Sequence, residues 1–109
     1  MVDETGVIPK SAKLSGAQTN TELVAAPGTN RAIRVYLAQV VPVTGMADIH
    51  PAGGSPIVSG AAGGHGKQDF SNTPGKFHQL AANTALQITS TGDVAYNLVY
   101  EVVRTGKGI

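Results

Sequence analysis

Three histidines, His50, His65 and His78, and seven carboxylates are the side chains of this sequence that could do chemistry. Three imidazoles suffice for a zinc site, but such sites draw ligands at close, recurring spacings. These three show no such spacing, and two of them stand in Gly/Pro-rich text. The only plausible metal arrangement is one histidine meeting copies of itself on a trimer axis. Among Asp3, Glu4, Glu22, Asp48, Asp69, Asp93 and Glu101, no pair is spaced for acid–base work, and Asp93 belongs to a turn. "AAGGHGKQ" imitates a phosphate loop. Ala61 replaces its first glycine, however, and Gln68 replaces its metal-binding Ser/Thr. A surface loop is the better reading. "GGSPI" puts a proline after Ser55 and forms no nucleophile elbow. Tyr96 and Tyr100 lie four apart, on one face of a strand. They could line a sugar platform with Tyr36, but packing in a core or an interface is preferred. No catalytic, cofactor-binding or metal residue is assigned, and the expectation is a non-enzyme with no cofactor.

Composition narrows the partners. Only 14% of the 109 residues are charged, the net charge is +1, and lysines and arginines do not cluster. Ordinary domains carry about 25% charged residues. A nucleic-acid partner needs several cations on one face, and a polybasic membrane anchor needs a comparable cluster; neither is expected. Weak self-repulsion suits permanent association instead. The sequence has no cysteine, so disulfides are excluded. The first residues lack the apolar segment of a signal peptide. "AIRVYLAQVVPV" carries Arg34 and Pro42 and is too short to span a bilayer.

No helical period of useful length occurs. Short β-branched runs between Gly/Pro turns predict an all-β fold of seven or eight strands, a single-domain antiparallel β-sandwich or jelly roll. Residues 1–20 are polar and unpatterned and predict an extended N-terminal arm, leaving 21–109 as the sandwich domain. "TELVAAP" reads as a strand and "PGTN" as a turn. "RAIRVYLAQVVPV" is a long strand with Ile33, Val35 and Leu37 on one face. Region 44–75 holds eight glycines and three prolines and reads mostly as loops. "TALQITS" puts Leu86 and Ile88 inward, and Gly92-Asp93 reads as a two-residue hairpin turn. The closing strand, "DVAYNLVYEVV", has one wholly apolar or aromatic face: Val94, Tyr96, Leu98, Tyr100 and Val102. Its other face, Ala95, Asn97, Val99, Glu101 and Val103, is still mostly apolar.

Two stretches carry a resemblance. "ELVAAPGTNRAIRVYLAQVV" resembles the opening strand, turn and long strand of small tailed-phage capsid decoration (cement) proteins. "LAANTALQITSTGDVAYNLVYEVV" resembles their closing strands. Together they cover about 45 of 109 residues. Asn83-Thr84 replaces the family's Gly-Glu pair, and region 44–75 has no counterpart. The resemblance implies a jelly-roll virion subunit, made in the host cytoplasm and placed on the capsid exterior. It implies partners in the major capsid protein lattice and in a homotrimer of itself. A small tail or baseplate subunit of the same fold is the alternative, and a carbohydrate-binding sandwich a more distant one. Val99 and Val103 are expected subunit-interface residues, because that face of the closing strand needs cover, and Tyr36 of the long strand is expected with them.

Overall fold

The computed structural model describes residues 7–64, 66–69 and 77–105. Among them all regular structure is β: β1 (Ile8–Leu14), β2 (Gln18–Val24), β3 (Arg31–Pro42), β4 (Met46–Pro51), β5 (Val58–Ala61), β6 (Gly66–Asp69), β7 (His78–Gln79), β8 (Leu86–Ser90) and β9 (Val94–Arg104). They form two antiparallel sheets. The front sheet runs β1-β9-β3-β6, with β7 continuing β6's edge along β3; the back sheet runs β2-β8-β4-β5.

The sheets face each other over one apolar cluster. Ile33, Val35, Ala38, Val40, Tyr96 and Leu98 enter it from the front; Leu23, Ile49, Val58, Leu86 and Ile88 enter from the back. Period-two alternation generates this arrangement, because successive residues of a strand point to opposite faces. β8 is the plainest case. Leu86, Ile88 and Ser90 are buried, while Gln87 and Thr89 are half-buried on the outside. The apolar face expected of β9 is indeed the inner one: Val94, Tyr96 and Leu98 are buried, and Tyr100 and Val102 pack against the cluster.

Three expectations are corrected. The polar segment expected as an arm is paired over residues 8–14 and 18–20. β1 lies along β9 from Ile8–Tyr100 to Leu14–Val94, and β2 lies along β8. Its side chains are polar because an edge strand exposes most of them; five of the seven residues of β1 are exposed. The second correction concerns Gly92-Asp93. β8 and β9 sit in different sheets, so residues 91–93 arch between sheets. Gly92 lacks the positive φ that a primed hairpin turn needs. The arch is tied instead by Ser90 Oγ donating to the Gly92 carbonyl at 2.8 Å. The Asp93 carboxylate also accepts from the Gly16 N–H at 2.5 Å, holding the β1–β2 turn.

The third correction is a change of face. The β3–β9 register skips between Val35–Tyr100 and Leu37–Val99, leaving Tyr36 as an inserted residue. One extra residue in a strand reverses the alternation beyond it. Ile33 and Val35 point inward before the bulge, and Ala38 and Val40 after it. Leu37, expected in the core, is therefore half-exposed on the outer face. Region 44–75 also contains more strand than expected, since β4 pairs with β8 from Ala47–Ser90 to Pro51–Leu86. Between β5 and β6 the chain crosses from the back sheet to the front. There a Cβ on Gly66 would stand 2.1 Å from the Ser59 carbonyl oxygen, so only glycine fits.

Leu98→Ala should lower stability by about 2–5 kcal/mol, the range for emptying a packed core site. Leu37→Ala should cost about 1 kcal/mol, because part of that side chain is already in water. Denaturant unfolding of both variants checks the bulge, and equal losses would place Leu37 inside.

Candidate interaction surface

The outer face of the front sheet is banded by its register. Ser11, Asn97, Gln39 and Lys67 form one row across β1, β9, β3 and β6, and Pro9, Val99, Leu37 and Asp69 form the next. The amide of Asn97 donates to Gln39 Oε1 at 2.9 Å, fixing the polar row. Beside it Leu37 and Val99 are both half-buried. An open groove of about 440 Å³ runs over these two rows, bounded by Pro9 and Ser11 at one edge and Lys67 at the other.

Beyond the bulge the same face turns aromatic. Tyr36 donates its hydroxyl to Glu101 Oε1. Glu101 is buried, 6% exposed, and stands opposite Arg34 in the ladder. The Arg34 guanidinium lies 4.3 Å from the centroid of Phe77 and donates through Nε to Gln79 Oε1 at 2.9 Å. Tyr36 meets Phe77 edge-on, with centroids 6.0 Å apart. β7 is thus held to β3 by side chains as well as by the Arg34–Gln79 and Val35–His78 pairs. Burial, followed by the bond to Glu101 and its negative charge, raises the Tyr36 phenol above its ordinary pKa of 10.0, with Arg34 opposing. A buried carboxylate needs such donors, since unpaired burial of a charge is costly.

The expected interface residues separate. Val99 and Tyr36 share this outer face. Val103 does not offer itself: paired with Ala32, it is 2% exposed within the chain, so the expectation of a Val103 contact is withdrawn. The tyrosines separate too. Tyr96 is buried in the core and Tyr100 packs against it, so the pair forms no exposed sugar platform. Burial also raises the Tyr96 phenol. His50 and His78 stand in different sheets, and His65 lies outside the described residues. Among the described residues no three His, Asp or Glu side chains converge as a metal site would require.

His50 is structural. Its Nδ1 lies 2.9 Å from the Pro51 carbonyl, which can only accept, so that nitrogen carries a proton. Its Nε2 lies 2.9 Å from Thr89 Oγ1, and Thr89 Oγ1 accepts from the Asn20 N–H at 3.1 Å. The chain of bonds links β4, β8 and β2 across the back sheet.

Sequence reasoning put Glu101 on the outer face of β9 but missed its bond to Tyr36, and it missed Leu37 and Phe77 as members of the front surface. For Leu37 a signal existed. Arg34 and Gln39 are five apart, and an odd separation cannot put two polar residues on the same face of a regular strand. A bulge between them resolves the conflict. No family model, no curated protein and no solved structure matches this chain.

Tyr36→Phe should cost about 1–3 kcal/mol at neutral pH, because it leaves a buried carboxylate short of a donor. Tyr36 is held protonated by the fold, so it contributes stability below pH 10 that is lost as pH rises through its elevated folded pKa. The variant should therefore show a shallower loss of stability above pH 10, measured by urea unfolding at a series of pH values. An unchanged alkaline profile would refute the assignment to Tyr36.

Proposed function

We propose that this chain is a virion structural subunit, a capsid decoration (cement) protein that binds the outside of an assembled phage head. It would be made in the host cytoplasm and act on the capsid exterior. Strand pairing carries the reading. With short β7 set aside, β1 pairs β9, β2 pairs β8, β3 pairs β6 and β4 pairs β5. Those are the rungs of one long antiparallel ribbon. Rolling it so that β9 also meets β3, and β8 meets β4, gives the order β1-β9-β3-β6 against β2-β8-β4-β5. This pattern supports a jelly roll, a fold used by capsid proteins and also by lectins. Because folds host many functions, it is the sequence resemblance that favours the capsid reading. Its two stretches correspond to the end of β2 through β3 and to β8–β9.

The partners follow from the same reading: the major capsid protein lattice, and other copies of the chain in a homotrimer. Nucleic acid and membrane have no part in it. The surface that fits such contacts is the front face, where Leu37 and Val99 are flanked by Tyr36, Phe77 and Arg34. Aromatic residues and arginine are enriched where interfaces carry their binding energy. A subunit that binds only the assembled lattice stabilises it by mass action, by about 2.7 kcal/mol per site at a hundredfold excess over Kd. A tail or baseplate subunit of the same fold is the second reading.

Imaging virions of the phage that encodes the chain tests this directly. The expected result is density of this shape at symmetric positions on the head exterior. Density on the tail alone would favour the second reading, and none on the particle would overturn both. In solution the isolated protein should sediment as a trimer at micromolar concentration. Val99→Lys, which puts an ammonium into the apolar row, should dissociate it; an unaltered trimer would remove Val99 from the contact.

A further inference from the structure

Among the described side chains, the two broad faces of the molecule carry opposite charge. On the outer face of the front sheet, Lys13 stands opposite Ala95, and Lys67 stands opposite Gln39. Both lysines are exposed. Arg34 lies on the same face. Among the side chains described on it, the carboxylate is that of Glu101, which is buried and bonded to Tyr36. On the outer face of the back sheet, Glu22 stands opposite Gln87 and Asp48 opposite Thr89. No lysine or arginine lies on the described strands of that face; His50, beside Gln87, is engaged with Pro51 and Thr89. Each face also offers an apolar contact: Leu37 and Val99 in front, and Met46, 59% exposed, behind.

We infer that copies of this chain associate head to tail, the basic front face of one sandwich against the acidic back face of the next. The inference rests on the self-association proposed above and adds which surfaces meet. A front-to-front contact would oppose lysines to lysines, and a back-to-back contact would oppose Glu22 and Asp48 to themselves. Like charges across an interface disfavour the wrong pairing. At the edge formed by β1 and β2, edge-to-edge pairing is disfavoured for a different reason. β1 presents Pro9, Lys10 and Lys13, the residues that blunt an exposed edge. β2 is interrupted by register shifts, with Asn20 at φ 49° beside one of them. Of the contacts between broad faces, front-to-back is the complementary one. Unlike a two-fold contact it uses two different patches, and it closes into a ring when the rotation between neighbours permits.

Two charge-reversed variants test it: Lys13→Glu with Lys67→Glu on the front, and Glu22→Lys with Asp48→Lys on the back. Thermal unfolding monitored by circular dichroism verifies that each is folded; the single exchanges Lys13→Glu and Glu22→Lys, both at exposed positions, replace any pair that is not. In sedimentation equilibrium each variant alone should self-associate about tenfold more weakly than wild type, or worse. An equimolar mixture should regain association, because one variant then has two acidic faces and the other two basic ones. Wild-type association should weaken at about 0.5 M salt, where screening lengths are only a few ångströms. A back-face variant that associates like wild type would overturn the inference, as would a mixture that stays apart. A monomeric wild type would also overturn it, while head attachment, scored separately, would still decide the decoration reading.

Discussion

The ladder between β3 and β9 is the constraint from which the rest of the structure follows. It runs from Arg31–Arg104 to Pro42–Val94, and both strands sit in the interior of the front sheet. An interior strand must satisfy its backbone groups on both edges, which is why β1 lies on one side and β6 and β7 on the other. Its length also sets how much of each face needs cover. The inner side is covered by the back sheet. The outer side is covered at one end from within the chain, where Val103 and Glu101 are buried. At the other end it stays open over Leu37, Val99, Asn97 and Gln39.

The bulge at Tyr36 divides those two ends. Without it, Leu37 would continue the inward series of Ile33 and Val35, and Ala38 would turn outward. With it, the small Ala38 and Val40 face the core opposite Leu98 and Tyr96, where the larger β9 side chains need room. Packing at native density rewards such alternation of large and small across facing strands. The displaced Tyr36 and Leu37 both go to the surface, so one inserted residue accounts for the well-packed middle of the core and for the apolar–aromatic character of the outer face.

Much of this was legible in the sequence. The all-β class, the inner face of β9, the inward Leu86 and Ile88, and a turn with Gly28 at positive φ all follow from period-two patterning and turn chemistry, although that turn closes one residue later than the pattern suggests, from Gly28 to Arg31. Three features resisted for physical reasons. Edge strands expose both their free edge and much of their side chains, so β1 and the start of β2 carry no hydrophobic alternation and read as tail. Adjacent strands joined by a Gly-containing turn usually pair, and nothing local at Gly92 says that Ser90 and Val94 belong to different sheets. In "IRVYLAQVV" almost every residue can be buried, so hydrophobicity alone does not fix the phase of the pleat. The front surface inherits that last ambiguity: Tyr36 and Val99 lie on it, Leu37 belongs there although the pattern puts it inside, and Val103 is covered by its own chain.

The low charge of the chain bears on folding and on association together. The first strand pairs with the last, so chain closure over nearly the whole length precedes the contacts that reward it, and such topologies fold slowly. During that interval an unpaired β9, apolar on one face and largely so on the other, is the segment most exposed to wrong pairing. β1 is the strand that ends the exposure, and it is also the strand that carries Pro9, Lys10 and Lys13. The residues that close the ladder therefore prevent it from growing further. Lys10 secures the closure from the other side, donating through Nζ to the Leu23 carbonyl of β2 at 2.5 Å and so joining the two sheets at their shared edge. With extension of the sheets disfavoured at that edge by proline and charge, a lightly charged molecule can meet its neighbours on its two broad faces.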